Sequence, residues 1–301
     1  MKKVILFYKF LPIADTEAIL RWQKNSCEKL NLTGRILISD HGINGTLAGE
    51  MDDLKAYIKD NKLYLPFKAI AYKWSDSEKE KVFPKLSVKV RDEIVTFDAA
   101  SEIEVDDNGI IGGGQHIKPK DIPKLIKEKD GQVVFFDGRN KYEAEVGKFK
   151  DAVVTDARHT RDFIPELESG KYDHLKEKTL VTYCTGGIRC EVLSMLMKKR
   201  GFQDVYQIDG GIVKYGEEYK DEGLWQGSLY VFDGRMGVKF SEKAEDIGKC
   251  IHCQRQTSHY ANCANKACNE LVLICEDCMK EPLKLYHSKN CLKAGKQLST
   301  S

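Results

Sequence analysis

Cys184-Thr185-Gly186-Gly187-Ile188-Arg189-Cys190-Glu191 decides how the rest of the chain is read. An apolar, β-rich run, residues 179–183, leads straight into it. Behind it Val192, Leu193, Leu196 and Met197 keep a helical period until Lys198, Lys199, Arg200 and Gly201 stop it. A cysteine therefore ends a buried strand, and a short glycine loop turns into the N-terminus of a helix. The glycines let successive backbone N–H groups point inward, and the helix end adds partial positive charge. Such a cradle of Thr185, Gly186, Gly187 and Ile188 stabilises a thiolate, a persulfide or another anion on Cys184 and depresses its pKa. Arg189 adds a full positive charge. A cysteine serving only the core would sit inside the strand or on the apolar helix stripe, not at this junction.

Around this loop, apolar strands alternate with helices over residues 131–222. Val133-Val134-Phe135-Phe136 is a continuous apolar strand that ends at Asp137-Gly138-Arg139-Asn140. A short helix near 142–146, a segment 149–154, the strand 180–183 and a strand 205–208 follow. Buried strands alternating with helices predict an α/β unit with a mostly parallel sheet covered on both sides. Cys184 then lies at the carboxyl end of a central strand, where open α/β sheets place ligands.

Residues 1–97 read as a ferredoxin-like (acylphosphatase-like) α+β domain: strands at 4–10, 34–39, 45–48 and 67–74, helices at 15–30 and 51–61. Its four strands offer an open face for bases or backbone. Arg35, His41 and Asn44 gather near the turn-like stretch 40–44, as a ligand site or as ordinary turn chemistry. The alternation at 85–91 predicts one more exposed strand, whose basic side, Lys89 and Arg91, is a candidate nucleic-acid contact or simply a solvated face. Residues 98–130, polar and glycine-rich, read as a linker with a short helix at 120–127. Gly112-Gly113-Gly114 has neither P-loop nor Rossmann spacing.

Residues 223–301 form a C-terminal extension. Seven of the ten cysteines lie beyond residue 249, and the metal-type residues fall as Cys250/Cys253, Cys263/Cys268, Cys275/Cys278 and His287/Cys291. CxxC pairs present two thiolates to one tetrahedral ion, so four pairs predict one or two structural zinc ions within 250–291. The pairing is cross-braced (first with third, second with fourth) or sequential. The segment has few large apolar residues, so metal would supply much of its folding energy. A secreted disulfide scaffold would spread its cysteines more evenly, so a reduced compartment is expected. Met1-Lys2-Lys3 before an apolar run resembles a signal peptide, but Lys9 ends that run too early. No run is long enough to cross a bilayer, and a cytoplasmic protein without membrane contact is expected. With 42% hydrophobic and 31% charged residues and a net charge of +2, the 301-residue chain is no strongly basic nucleic-acid binder, though a local patch remains open.

Asp137-x-Arg139-Asn140-x-x-Glu143, Gly147-x-Phe149-Lys150, the Cys184 loop and Asp209-Gly210-Gly211 resemble a rhodanese domain. That resemblance implies a persulfide-capable Cys184 and loop support from Asp137, acting through Arg189, with Arg139 beside it. A related phosphatase branch has arginine six places after its cysteine. Here Arg189 is at the fifth place and Cys190 at the sixth, which disfavours phosphatase chemistry. The likeness extends further, through residues 34–49, residues 86–97, Leu224-Trp225-x-Gly227 and Val231-Phe232-Asp233-Gly234-Arg235. Over roughly residues 1–255 the chain resembles the oxygen-dependent tRNA uridine hydroxylases, which form 5-hydroxyuridine at the wobble position. The departures are Gly138, where a larger residue is usual, and the longer cysteine-rich tail.

That resemblance implies an oxidoreductase of monooxygenase type acting on the anticodon region of tRNA, with O2 as co-substrate and Cys184 as catalytic residue. No flavin, haem or nicotinamide motif is recognisable. Cys184 either adds to the uracil or carries oxygen with Cys190 as resolving thiol; Cys190 otherwise simply packs inward. The alternatives are a rhodanese-type sulfurtransferase and a non-catalytic, zinc-stabilised RNA- or protein-binding module. The oligomeric state is not legible.

Overall fold

The computed structural model describes residues 2–76, 82–231 and 236–298. The first unit comprises β1 (Lys2–Phe10), α1 (Thr16–Lys29), β2 (Thr33–Ser39), β3 (Gly42–Glu50), α2 (Met51–Leu63), β4 (Tyr72–Asp76) and β5 (Leu86–Val90). Its strands lie in the order β4-β1-β3-β2-β5, the ferredoxin-like order with one added edge strand, β5, parallel to β2. Because side chains alternate along a strand, Ile5 and Phe7 of β1 face the helices, in a core with Ile36, Ile38, Leu47, Leu54 and Tyr57. Asp15 caps α1 by accepting the Ala18 N–H at 2.8 Å.

Two boundaries differ from the sequence reading. Only Asp40 and His41 turn, and Gly42 already belongs to β3. A Cβ on Gly42 would stand 2.2 Å from the Lys9 carbonyl oxygen, so β3 can start beside β1 only on a glycine. The fourth strand begins at Tyr72 rather than 67, because Leu65–Phe67 forms a short 3-10 turn around Pro66 that buries Phe67. A third difference bears on function. The sheet face opposite the helices is not fully open: Tyr8, Phe10 and Leu37 pack with Ile94, Phe97 and the central unit's Phe136 and Leu193.

The next segment carries a small hairpin, β6 (Val105–Asp106) and β7 (Gly109–Ile110). The central unit follows with β8 (Gln115–Ile117), α3 (Ile122–Glu128), β9 (Val133–Asp137), α4 (Lys141–Val146), β10 (Gly147–Phe149), β11 (Val153–Val154) and α5 (Phe163–Glu168). It continues with β12 (Thr179–Tyr183), α6 (Ile188–Lys199), β13 (Asp204–Ile208) and α7 (Gly211–Tyr219). Strand order is β11-β9-β12-β13-β8, with every pairing parallel. All of β12 is buried, since Leu180 meets Leu193 and Leu196 on one side, and Val181 and Tyr183 meet Leu125 and Ile212 on the other. The linker reading of 98–130 therefore needs correction at 115–117, which is the edge strand β8. Gly114 makes that possible: its N–H donates to Ser194 Oγ at 2.8 Å, and a Cβ would lie 2.9 Å from the Val205 carbonyl oxygen.

The C-terminal extension is joined to this unit through β14 (Trp225–Gly227), antiparallel to β10. It continues with the pair β15 (Leu229–Val231) and β16 (Met236–Val238), the pair β17 (Tyr260–Asn262) and β18 (Leu271–Leu273), and helices α8 (Glu276–Met279) and α9 (Lys289–Leu298). Of the motif at 231–235, Phe232 to Arg235 lie outside the described residues. Among the described residues, no helix is long and apolar enough to cross a membrane.

Candidate active site

β12 delivers Cys184 to the carboxyl edge of the central sheet, where its side chain is almost wholly buried. The Gly187 N–H donates to Sγ at 3.1 Å. Gly187 sits at φ +100°, and a Cβ there would lie 2.9 Å from the Tyr8 hydroxyl. Burial alone would raise the Cys184 thiol. The Cys190 side chain, the Arg189 charge and the N–H groups of Cys190 and Gly187 outweigh it, lowering the group from 9.0 to about 5. Cys190, fully buried against Cys184, is pushed the opposite way by burial and by its anionic neighbour. Cys184 is thus the thiolate of the pair and Cys190 the thiol.

Arg189 is fixed by Glu143, a residue that the sequence motif contains but to which the sequence reading gave no role. Its two terminal nitrogens donate to the two carboxylate oxygens of buried Glu143, at 2.5 and 2.9 Å, and one also reaches Thr185 Oγ1 at 3.2 Å. The expected route from Asp137 through Arg189 is not what forms. Asp137 binds Arg139 instead, Oδ1 accepting from Nε at 2.9 Å and Oδ2 from a terminal nitrogen at 2.6 Å. Arg139 is itself buried, donates to the carbonyls of Glu143 and Gly147, and lies 5.6 and 5.2 Å from the ring centres of Tyr183 and Trp225. The reason is reach: Asp137 ends β9 two residues from Arg139, whereas Glu143 on α4 faces the start of α6. The local signal for Glu143 was the capping box, since its side chain also accepts the Asn140 N–H at 3.1 Å. Gly138 has a cause too. A Cβ would stand 2.9 Å from Leu193 Cδ2 and 3.1 Å from the Tyr183 carbonyl oxygen, so α6 packs too close for a larger residue.

The first unit reaches this site. Tyr8 donates to Glu191 Oε1 at 3.2 Å, and Lys73 donates to the carbonyls of Gly186 and Gly210. Glu191 Oε2 also accepts from Gln207 at 3.1 Å and lies 3.3 Å from His116 Nε2. Of the proposed substrate contacts, Arg35, Lys89 and Arg91 are exposed, and the register pairing Arg35 with Ser87 and Leu37 with Lys89 sets Arg35 and Lys89 on one face. His41 is half-buried with Nδ1 3.3 Å from the Asp40 carboxylate. Asn44 donates to the Ile94 carbonyl at 2.9 Å and so serves as a tie between chain segments.

In the extension the pairs interleave. Cys250, Cys253, Cys275 and Cys278 form one group, and Cys263, Cys268, His287 and Cys291 another, with ligand atoms of each within 4.8 Å of one another. Cys253 and Cys275 sulfurs are 3.5 Å apart, and Cys268 Sγ lies 3.3 Å from His287 Nδ1. A tetrahedral ion with sulfurs at about 2.3 Å would space its ligands by about 3.8 Å, so both groups could hold a metal ion. The arrangement is the cross-braced one.

A thiolate cradled by backbone N–H groups where a central parallel strand meets a helix defines a rhodanese-like protein. Residues 118–218 match the rhodanese-like domain family, residues 2–94 the UPF0176 acylphosphatase like domain, and residues 226–292 the family described as rhodanase C-terminal. A Corynebacterium urealyticum protein named tRNA uridine(34) hydroxylase is 59% identical over 280 residues, 93% of this chain and 94% of its own. An Arthrobacter sp. protein of that name is 56% identical over 294 residues, 97% of this chain and 99% of its own. The chain belongs to the tRNA uridine(34) hydroxylase family.

Proposed function

We propose that this chain is a cytoplasmic oxidoreductase that hydroxylates the wobble uridine of tRNA at C5, with the Cys184 thiolate as reacting group. O2 is the co-substrate, and an external two-electron donor reduces the second oxygen atom to water. The observation that carries this reading is the full-length relationship to proteins of that name, held by a chain whose Cys184 is a cradled thiolate. A thiolate adding at C6 of uracil breaks the C5=C6 double bond and gives C5 the electron density of an enolate, the form reactive toward oxygen. Loss of the C5 proton and of the C6 sulfur then restores the double bond and frees the thiolate. Complementing a strain that lacks its own wobble uridine hydroxylase tests the reading. Nucleosides from the complemented cells are expected to contain 5-hydroxyuridine or its derivatives by mass spectrometry, and their absence would count against hydroxylation. Sulfurtransfer is the second reading, because the Gly187 N–H aimed at Sγ would stabilise a persulfide as well. A Cys184 persulfide accompanied by unmodified tRNA would favour it.

Exposed Arg35 and Lys89, sharing a face, are the expected phosphate contacts near the anticodon. Reversing both charges (R35E with K89E) should weaken tRNA binding and reduce the slope of log K against log salt by about 2. Filter binding across a salt series reads both quantities.

The two thiolate-rich groups are expected to hold one zinc ion each, supplying folding energy rather than chemistry. Metal analysis should return about two zinc ions per chain, and a strong chelator should abolish the thermal transition of the extension while the transition of the two larger units persists.

A further inference from the structure

The cysteine loop has a partner from outside the rhodanese-like unit. Lys73 stands on β4, an edge strand of the first unit, and its ammonium donates to the Gly186 and Gly210 carbonyls across separations of 113 and 137 residues. The Gly186 carbonyl and the Gly187 N–H belong to one trans peptide plane, so they point in opposite directions. That same N–H is the one that donates to Cys184 Sγ at 3.1 Å. A cation holding the carbonyl on one side therefore aims the donor at sulfur on the other. The second carbonyl fixes the neighbouring loop. Gly211 follows Gly210 at φ +67°, and a Cβ on it would meet the Cys184 carbonyl oxygen at 2.4 Å and the Gly187 nitrogen at 2.8 Å. The Gly210–Gly211 turn is thus pressed against the cysteine loop, and Lys73 pins both.

We propose that Lys73 is a positioning residue of the cysteine site: it sets the 186–187 peptide plane so that its N–H binds the Cys184 sulfur, and its charge favours the thiolate. The first unit then completes the reactive centre as well as binding substrate. The proposal deepens the reading of Cys184 as the reacting group but does not depend on the substrate being RNA.

The electrostatic setting agrees with the geometry. Cys184 is faced by Cys190 and Arg189 from α6 and by Tyr8 and Lys73 from the first unit. Lys73 is depressed chiefly by burial, while Cys184, Asp209 and Glu191 favour its charge and Lys214 opposes it. Tyr8 is pushed up, first by burial and then by the Glu191 and Cys184 anions, so it stands there as a neutral phenol. Its ring lies 5.5 Å beneath the Lys73 ammonium, which helps hold that side chain over the loop.

The test reads the sulfur and not the tRNA. Carbamidomethylation of Cys184 by iodoacetamide is followed by peptide mass spectrometry across pH in wild type, K73M, K73R, K73Q and, as a control, K9M. Lys9 donates to the Pro66 carbonyl at 3.0 Å. The midpoint for Cys184 is expected to rise by about one unit or more in K73M. It should rise less in K73Q, which keeps an N–H donor without the charge, and stay near wild type in K73R and K9M. K73Q carries the test if K73M does not fold. A midpoint unmoved in both neutral variants overturns the proposal, as does an equal shift in K9M. Loss of hydroxylation with an unmoved midpoint would leave the hydroxylase reading standing and discard this role for Lys73.

Discussion

Cys184→Ala is expected to abolish wobble hydroxylation, by at least about a thousandfold, in a protein that still folds. The side chain is buried at the junction of β12 and the glycine loop, but the loop is held by other bonds: the Ile212 N–H donates to the Cys184 carbonyl and Lys73 holds the Gly186 carbonyl. Alanine removes the sulfur and disturbs none of these. The variant also separates stability from chemistry. A thiol whose folded pKa lies below its unfolded value stabilises the fold through its anion. That contribution is complete above the ordinary thiol value of 9.0 and is lost as pH falls through about 5. Urea unfolding of wild type and variant should therefore diverge most at alkaline pH and converge toward pH 5. Nucleoside mass spectrometry reads the loss of activity, and residual activity within tenfold of wild type would remove Cys184 from the reaction.

Glu143→Gln should have the next largest effect. The carboxylate is wholly buried and holds both terminal nitrogens of Arg189, so neutralising it leaves a guanidinium in the interior without its counter-charge. Breaking one side of a buried pair costs about 3–5 kcal/mol. Glutamine keeps the shape and the bond from the Asn140 N–H, so the loss belongs to the ion pair and not to the helix cap. Hydroxylation should fall by on the order of a hundredfold, because Arg189 no longer stands where the cysteine loop needs it. Denaturant midpoints and tRNA nucleoside analysis check the two halves separately. A variant as stable as wild type would contradict the account of Arg189 given above.

What the sequence made legible follows from how local each signal is. β9 and β12 were readable because strands buried on both faces are continuous apolar runs, and the Cys184 cradle because strand, glycines and helix lie within one short stretch. β8 was not readable. Gln115–Ile117 shows no apolar run, and it is a strand only because Gly114 lets it approach β13. Asp137 and Arg139 were recognised as a motif, but their partners were misassigned. The bond from Arg189 to Glu143 spans 46 residues and no periodicity announces it. Tyr8 and Lys73 were invisible as site residues for the same reason, since each is an ordinary strand residue until the first unit docks. The open face expected of the ferredoxin-like sheet failed partly on that docking, which uses Tyr8, Phe10 and Leu37.

The interleaving of the two ligand groups has a topological consequence. Cys250 and Cys253 share their group with Cys275 and Cys278, while Cys263 and Cys268 share theirs with His287 and Cys291. With ions bound, a protease cut anywhere between Cys253 and Cys275 leaves two fragments that still own half of a common coordination sphere. The severed chain would travel as one particle and come apart only when the metal is withdrawn. Sequential pairing would have let a cut between Cys268 and Cys275 release the far end at once.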